Sequence, residues 1–198
     1  MAEWKLFDGD VPHVSTFEFH EHRERAPHLE QPGHRERLLA AAALIAEAAA
    51  ELPEPRTFSD LGCGDGGLLS VVQGRFAQAW GYDFAPANAA GWAERGVAAA
   101  RADAFHGDHA GIRVGDVAAA TEVLEHLADP REALRWIAGH AQRLVCSSPW
   151  DENDGHRDPV HAWAWDMDGY ASLIESCGWQ VARHEQAGRF QVVLGHVR

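Results

Sequence analysis

Cysteine is scarce in this chain: Cys63, Cys146 and Cys177 are the only three in 198 residues. No CxxC spacing occurs among them, which argues against a thiolate zinc site. An odd, sparse set fits reduced thiols in a cytosolic protein better than a disulfide framework. Basic charge is short as well. Lys and Arg total 17 against 30 Asp and Glu, a formal net charge of −13. Such a balance argues against a broad nucleic-acid footprint and against docking on anionic lipid, although a small local basic patch stays open. Long apolar runs are also missing. The most apolar stretch, 38–50, is alanine-rich and interrupted by Glu47, too short to span a bilayer. The opening MAEWKLFDGD lacks the basic-then-apolar order of a secretory signal, so a cytoplasmic location is expected.

What is present suits one folded domain. Hydrophobic residues make up 46% of the chain, enough for a sizeable core at this length. Residues 1–34 hold five of the 13 histidines, with Trp4, Phe7, Phe17 and Phe19. This segment is expected to be a lid or substrate-covering piece, or else a poorly ordered terminus. Residues 35–198 form the expected domain. Helix formers from Arg35 to Leu52 place Leu38, Leu39, Ala42, Ile45, Ala46 and Ala49 on one stripe, and Pro53 and Pro55 stop the helix. Strands are then predicted over 57–61, 78–83, 97–100, 116–121 and 143–147, with helices over 67–76, 87–95, 129–140 and 166–177 between and after them. Strand and helix in alternation mean a doubly wound α/β sheet. The last two strands, 179–185 and 190–197, are joined by Gln186-Ala187-Gly188-Arg189, too short for a crossover helix. They must pair antiparallel.

Four glycines fall within six positions of the stretch DLGCGDGG, residues 60–67. The loop follows a strand and opens a helix, so it sits at the carboxyl end of the sheet, where such sheets bind ligands. Gly62-x-Gly64-x-x-Gly67 satisfies the dinucleotide fingerprint, and Asp60-x-Gly62-x-Gly64-x-Gly66 satisfies an adenosyl amino-acid pattern. Further aspartates arbitrate. Asp60 at the strand end suits an ammonium and would be awkward beside a pyrophosphate. Asp83 closes the second strand, where a carboxylate accepts from both ribose hydroxyls; alone it does not discriminate, because nicotinamide dinucleotide sites use the same device. Asp103-Ala104 follows the third, within reach of an adenine amine.

With DLGCGDG (60–66), GYDFAP (81–86), ADAF (102–105), ATEVLEHLADP (120–130), SSPW (147–150) and SLIESCGWQV (172–181), the sequence resembles class I S-adenosylmethionine-dependent methyltransferases. The likeness is UbiG-like, of the type 11/12 methyltransferase groups, and more weakly Hen1-like. It implies a Rossmann-like, seven-stranded sheet whose last strand runs antiparallel. It implies S-adenosyl-L-methionine as cofactor and S-adenosyl-L-homocysteine as product. It places cofactor contacts on Asp60, Gly62, Cys63, Gly64, Asp83, Phe84, Asp103, Ala104 and Glu122. A nicotinamide-dependent oxidoreductase and a non-catalytic cofactor-binding module remain the rival classes.

Glu122-Val123-Leu124-Glu125-His126 follows the fourth strand, and His156 and His161 lie downstream. A helical turn here would put Glu122, Glu125 and His126 on one face. Three readings stand side by side. His126 or His161 serves as general base for an O or N acceptor. Alternatively Glu122, Glu125, His126 and His161 hold a divalent metal, as the resemblance to Hen1-type RNA 3′-terminal 2′-O-methyltransferases implies. In the third, these side chains only cap and brace the loop. The negative charge favours a small-molecule acceptor over RNA. Pro149 is followed by Trp150 where the family commonly has asparagine. Trp150, Trp163, Trp165 and Tyr170, joined by Phe17 and Phe19, are the expected aromatic wall of an acceptor pocket.

Overall fold

The computed structural model describes residues 3–5, 22–105, 109–152, 156, 158 and 160–198. Phe17 and Phe19 lie outside the described residues.

Strand β1 (Glu3–Lys5) precedes helix α1 (Pro32–Ala50). The helix begins at Pro32 rather than at Arg35, because a proline in the first turn gives up an N–H that has no intrahelical partner. Leu38, Ala41, Leu44, Ile45 and Ala48 are buried along it, whereas Leu39, expected on the same stripe, is 46% exposed. There follow β2 (Thr57–Leu61), α2 (Gly67–Val72), β3 (Gln78–Asp83), α3 (Ala89–Arg95), β4 (Ala99–Arg101) and β5 (Val117–Thr121). Then come α4 (Pro130–Ala138), β6 (Arg143–Pro149), β7 (Trp163–Trp165), α5 (Met167–Ser176), β8 (Trp179–Ala187) and β9 (Phe190–Val197). Several expected helices are shorter than predicted because 3-10 turns take over their ends, at Gln73–Arg75 and Pro86–Asn88.

Seven strands form one sheet in the order β4-β3-β2-β5-β6-β9-β8. The first five are parallel, and β9 lies antiparallel between β6 and β8. Strand β5 shows why its sequence is an unbroken apolar run. Ala118 and Ala120 pack into one core with Leu134, Ile137, Ile174 and Trp179 of α4, α5 and β8. Val117 and Ala119 pack into the other with Leu38, Leu44, Ile45 and Leu69 of α1 and α2. A strand covered on both faces has no polar side to show. A separate pairing joins β1 antiparallel to β7, Trp4 opposite Ala164. Hydrophobic periodicity gave no hint of it, since three-residue strands carry almost none.

The glycine turn between β2 and α2 has its backbone fixed by shape. Gly62 sits at φ +83°, and a Cβ there would stand 2.5 Å from Val123 Cγ2. Gly62→Ala therefore meets both left-handed strain and a steric conflict, together about 2–4 kcal/mol of lost stability. A urea titration should show the midpoint falling with the slope unchanged. An unmoved midpoint would refute the close approach of this turn to the loop after β5.

Candidate functional site

The carboxyl ends of β2, β3 and β5 open into a cavity of about 380 Å³. Asp60 reaches it from the penultimate position of β2. Its side chain is 1% exposed, yet among the described residues neither carboxylate oxygen has a hydrogen-bond partner. Burial, reinforced by the charge of Asp83 and opposed by Arg37, pushes its pKa up to about 7. A buried carboxylate with both oxygens unpartnered calls for a donor that arrives with a ligand.

Asp83, the last residue of β3, is held by its own surroundings. Oδ2 accepts from the Gly64 N–H at 2.9 Å, and Oδ1 accepts from the Ala85 N–H at 2.8 Å and Asn88 Nδ2 at 3.0 Å. Burial raises its pKa, and those three donors oppose the rise. The carboxylate is thus aimed before any ligand arrives. Gly64, at φ +53°, has nothing within 4 Å of where a Cβ would be, so the cavity comes up to its backbone. Cys63, Phe84, Asp103 and Ala104 also line the cavity. Asp103 is oriented by the Phe105 N–H, which donates to Oδ1 at 2.9 Å. Burial pushes the Cys63 thiol well above its ordinary range, so it stays protonated and inert as a nucleophile.

After β5 the backbone does not turn as a regular helix. Glu122 takes φ +57°, and a short 3-10 turn covers Leu124–His126. Glu122 is thereby separated from the turn that carries Glu125 and His126, so the expected shared face does not form. Its Oε1 accepts instead from Ser147 Oγ at 3.0 Å, and that hydroxyl oxygen accepts from Arg37 Nη1 at 3.3 Å. Glu125, His126 and His161 converge, with one ligand atom from each lying within 4.8 Å of the others. His126 and His161 line the cavity, and Glu125 stands behind them, 1% exposed, with both oxygens unpartnered among the described residues. Burial first, then the charge of Glu122, raises its pKa well above the carboxylate range.

Two contributors escaped the sequence reading. Arg37 of α1 is 1% exposed, lines the cavity with its guanidinium 5.3 Å from the Phe190 ring centre, and among the described residues leaves Nε without a hydrogen-bond partner. The expected stripe through Leu38, Ala42 and Ile45 did not include it; the face that is buried also carries Ala41, one turn further on. Glu152, 2% exposed, accepts from His161 Nδ1 at 2.6 Å. It follows β6 in a loop with no regular period.

The aromatic wall differs from the expectation. None of Trp150, Trp163, Trp165 and Tyr170 lines the cavity. Trp165 and Tyr170 are core residues, and the Trp163 and Trp150 indoles donate to the Leu127 and Gly188 carbonyls. Tyr82, Phe84, Phe105 and Phe190 line it in their place. His156 is exposed and does not line the cavity. At the mouth stand Arg23, Glu24, Ala26 and His28. Their segment is tied down through Asp65 of the glycine loop, which accepts from Arg25 Nε at 3.2 Å and from Arg95 Nη2 at 2.8 Å; Arg95 in turn bonds Glu30. No helix among the described residues is long and apolar enough to cross a membrane.

A seven-stranded sheet with β9 inserted antiparallel, a glycine turn after β2 and acidic residues at or just past the ends of β2, β3 and β5 are features of the class I S-adenosylmethionine-dependent methyltransferases. A family model described as a methyltransferase domain matches residues 33–185, and the chain belongs to that family. It is an S-adenosylmethionine-dependent methyltransferase. Solved structures agree in fold. The N-methyltransferase NodS of Bradyrhizobium japonicum, in complex with S-adenosyl-L-homocysteine, is 16% identical with a TM-score of 0.68, covering 96% of this chain and 99% of that one. Magnesium protoporphyrin IX methyltransferase of Synechocystis, with bound cofactor, is 17% identical with a TM-score of 0.64, covering 98% and 88%. The methyltransferase domain of bacterial CtHen1-C is 19% identical with a TM-score of 0.63, covering 83% and 98%. No curated protein matches.

Proposed function

We propose that the chain methylates an oxygen or nitrogen of a small molecule, with the cofactor in the cavity between the glycine turn and the segment 22–31. The observation that carries this placement is the Asp60 carboxylate, without a partner among the described residues, in a cavity that the buried Arg37 also lines. A buried anion and a buried cation with an unpartnered N–H together complement a zwitterion. Asp60 would take the ammonium of the methionine moiety, and Arg37 its carboxylate. Asp83 would take the ribose hydroxyls, Asp103 and the Ala104 backbone would border the base, and Gly62, Cys63, Gly64, Phe84 and Glu122 would complete the walls.

When bound, S-adenosylmethionine supplies an electrophilic methyl on a sulfonium. The chain's own part is to hold the acceptor atom in line with that methyl, about 3 Å away, and to receive the proton it loses. The Val160 carbonyl accepts from His126 Nδ1 at 3.1 Å. A carbonyl cannot donate, so the proton sits on Nδ1 and the lone pair on Nε2. The Glu152 carboxylate imposes the same tautomer on His161. Both imidazoles are thus set to accept a proton through Nε2. Residues 22–31, latched by Asp65, would cover the bound ligands as the described part of a lid over residues 1–34.

His126→Ala is expected to lower turnover by about 10²–10⁴-fold, the usual worth of a general base. S-adenosylhomocysteine affinity should stay put. Turnover would be read as labelled methyl entering the small-molecule fraction of a cell lysate. If incorporation persists and the variant merely melts earlier, the histidine is a brace.

One observation favours a second reading: among the described residues the buried Glu125 carboxylate has no partner, and a proton base does not explain it. Glu125, His126 and His161 would hold a divalent metal, with Glu122, bonded to Ser147, outside that cluster, and the acceptor would then be a vicinal diol such as an RNA 3′ end. The imidazole orientations fit that role equally, since metal-bound histidines commonly donate their other ring N–H to a carboxylate or carbonyl. Calorimetric titration with Mn²⁺ separates the readings. One tight site lost in Glu125→Gln supports the metal, and a flat trace removes it.

A further inference from the structure

We infer that Glu152 is a positioning residue that sets the orientation of both His126 and His161, and so organises the acceptor side of the site. The functional meaning of this rests on the methyl-transfer reading above, but the geometry is its own argument. Glu152 lies beyond the end of β6, outside every motif the sequence reading used. A carboxylate that is 2% exposed is costly unless it is thoroughly bonded, and this one is. Oε2 accepts from His161 Nδ1 at 2.6 Å, the length of a charge-assisted bond. Oε1 accepts from the Asp158 N–H at 3.0 Å, and Arg189 Nη2 stands 3.6 Å from the same oxygen.

The second of these bonds carries the inference beyond His161. Asp158 begins a turn: its Oδ1 accepts from the Val160 N–H at 3.1 Å, and its carbonyl accepts from the His161 N–H at 3.1 Å. The carbonyl of Val160, inside that turn, is the acceptor for His126 Nδ1. One oxygen of Glu152 therefore orients His161 directly. The other fixes the turn that orients His126. The rings end up 4.7 Å apart and nearly perpendicular, at 76°. The arrangement serves proton transfer and metal ligation alike, since each needs the Nε2 lone pair.

Histidine ring 15N spectra of the full chain, at a pH where both rings are neutral, test this without any knowledge of the acceptor. The wild type should show the Nδ1–H tautomer at both rings, with a downfield Nδ1 proton at His161. In Glu152→Gln, an oxygen kept for the Asp158 N–H leaves an amide N–H₂ against His161. The dominant Nδ1–H tautomer should be lost there, with His126 unchanged. In Glu152→Ala it should be lost at both rings. A role confined to stability would lower the melting temperature and leave the tautomers alone. A single Nδ1–H tautomer kept at His161 in both folded variants, or kept at His126 in Glu152→Ala, overturns the inference, and if Glu152→Ala does not fold, Glu152→Leu, closer in volume and equally without an acceptor, takes its place. Titrating the same samples with S-adenosylhomocysteine keeps the two claims apart. Failure of the wild type to bind it refutes the cofactor placement, while the tautomer result stands on its own.

Discussion

Asp60→Asn should make the cofactor-free protein more stable at pH 8 and at the same time nearly abolish its affinity for S-adenosylhomocysteine. Both effects have one cause. The Asp60 carboxyl is held up near pKa 7 by burial, against an ordinary value of 3.8. Between those values the native state binds more protons than the unfolded chain, so stability falls as pH rises through that window and is level above it. At about 1.4 kcal/mol per unit, the ionised carboxylate costs the empty protein on the order of 4 kcal/mol. Asparagine does not ionise, but its own amide would sit unpartnered in the same place, so a net gain of about 1–3 kcal/mol is expected. That is a rise in melting temperature of about 3–10 °C at pH 8. The gain should vanish near pH 4, where the wild-type group is protonated in the native state as well. Binding moves the opposite way. Removing one member of a buried ion pair costs about 3–5 kcal/mol, a loss of roughly 10²–10⁴-fold in affinity. Scanning calorimetry across pH, paired with ligand titration, reads both. A variant that is less stable at pH 8, or that binds normally, would mean that Asp60 has an internal partner.

Asp83→Ala carries the second large effect. Its carboxylate is already held by Gly64, Ala85 and Asn88, so it meets a ribose with little reorganisation. Each charge-assisted bond to a ribose hydroxyl is worth about 1.5–3 kcal/mol, and two of them imply an affinity loss of at least about 10²-fold. The same substitution releases the glycine turn, so part of the loss would come from the Gly64 backbone losing its anchor. Asp83→Asn keeps the volume of the side chain and the Oδ1 acceptor for Ala85 and Asn88, but it removes the charge and turns an amide N–H₂ toward the Gly64 N–H, so it too should bind more weakly. Affinity unchanged in both variants would contradict the ribose assignment.

The sheet was legible because its strands announce themselves twice, by apolar runs and by the residues that stop them. Thr57–Leu61 and Gln78–Asp83 were placed to the residue because glycine and aspartate end each one. The cofactor side was legible for a related reason: its residues sit at strand ends, where sequence position and spatial position coincide. The acceptor side was not. Glu122 and Glu125 look alike in sequence, yet a left-handed φ at Glu122 sends one to Ser147 and the other behind the histidines. Nothing in the letters EVLEH specifies that turn. Trp163 and Trp165 were expected around the acceptor and pack away from the cavity, because β7 pairs with β1 and turns Trp165 into the core. Arg37 and Glu152 act across 110 and 9 residues of separation respectively, on Ser147 and on His161. Contacts of that kind follow from the assembled fold and leave no local period.

The central claim is that a buried, unpartnered carboxylate and the glycine turn beside it are shaped for an adenosyl amino acid. Isothermal titration of the pure protein with S-adenosyl-L-homocysteine tests it most directly. The predicted result is one site per chain with a dissociation constant of about 1–100 µM, typical of enzyme ligands. No heat at millimolar ligand, under conditions where the protein is folded, would contradict it.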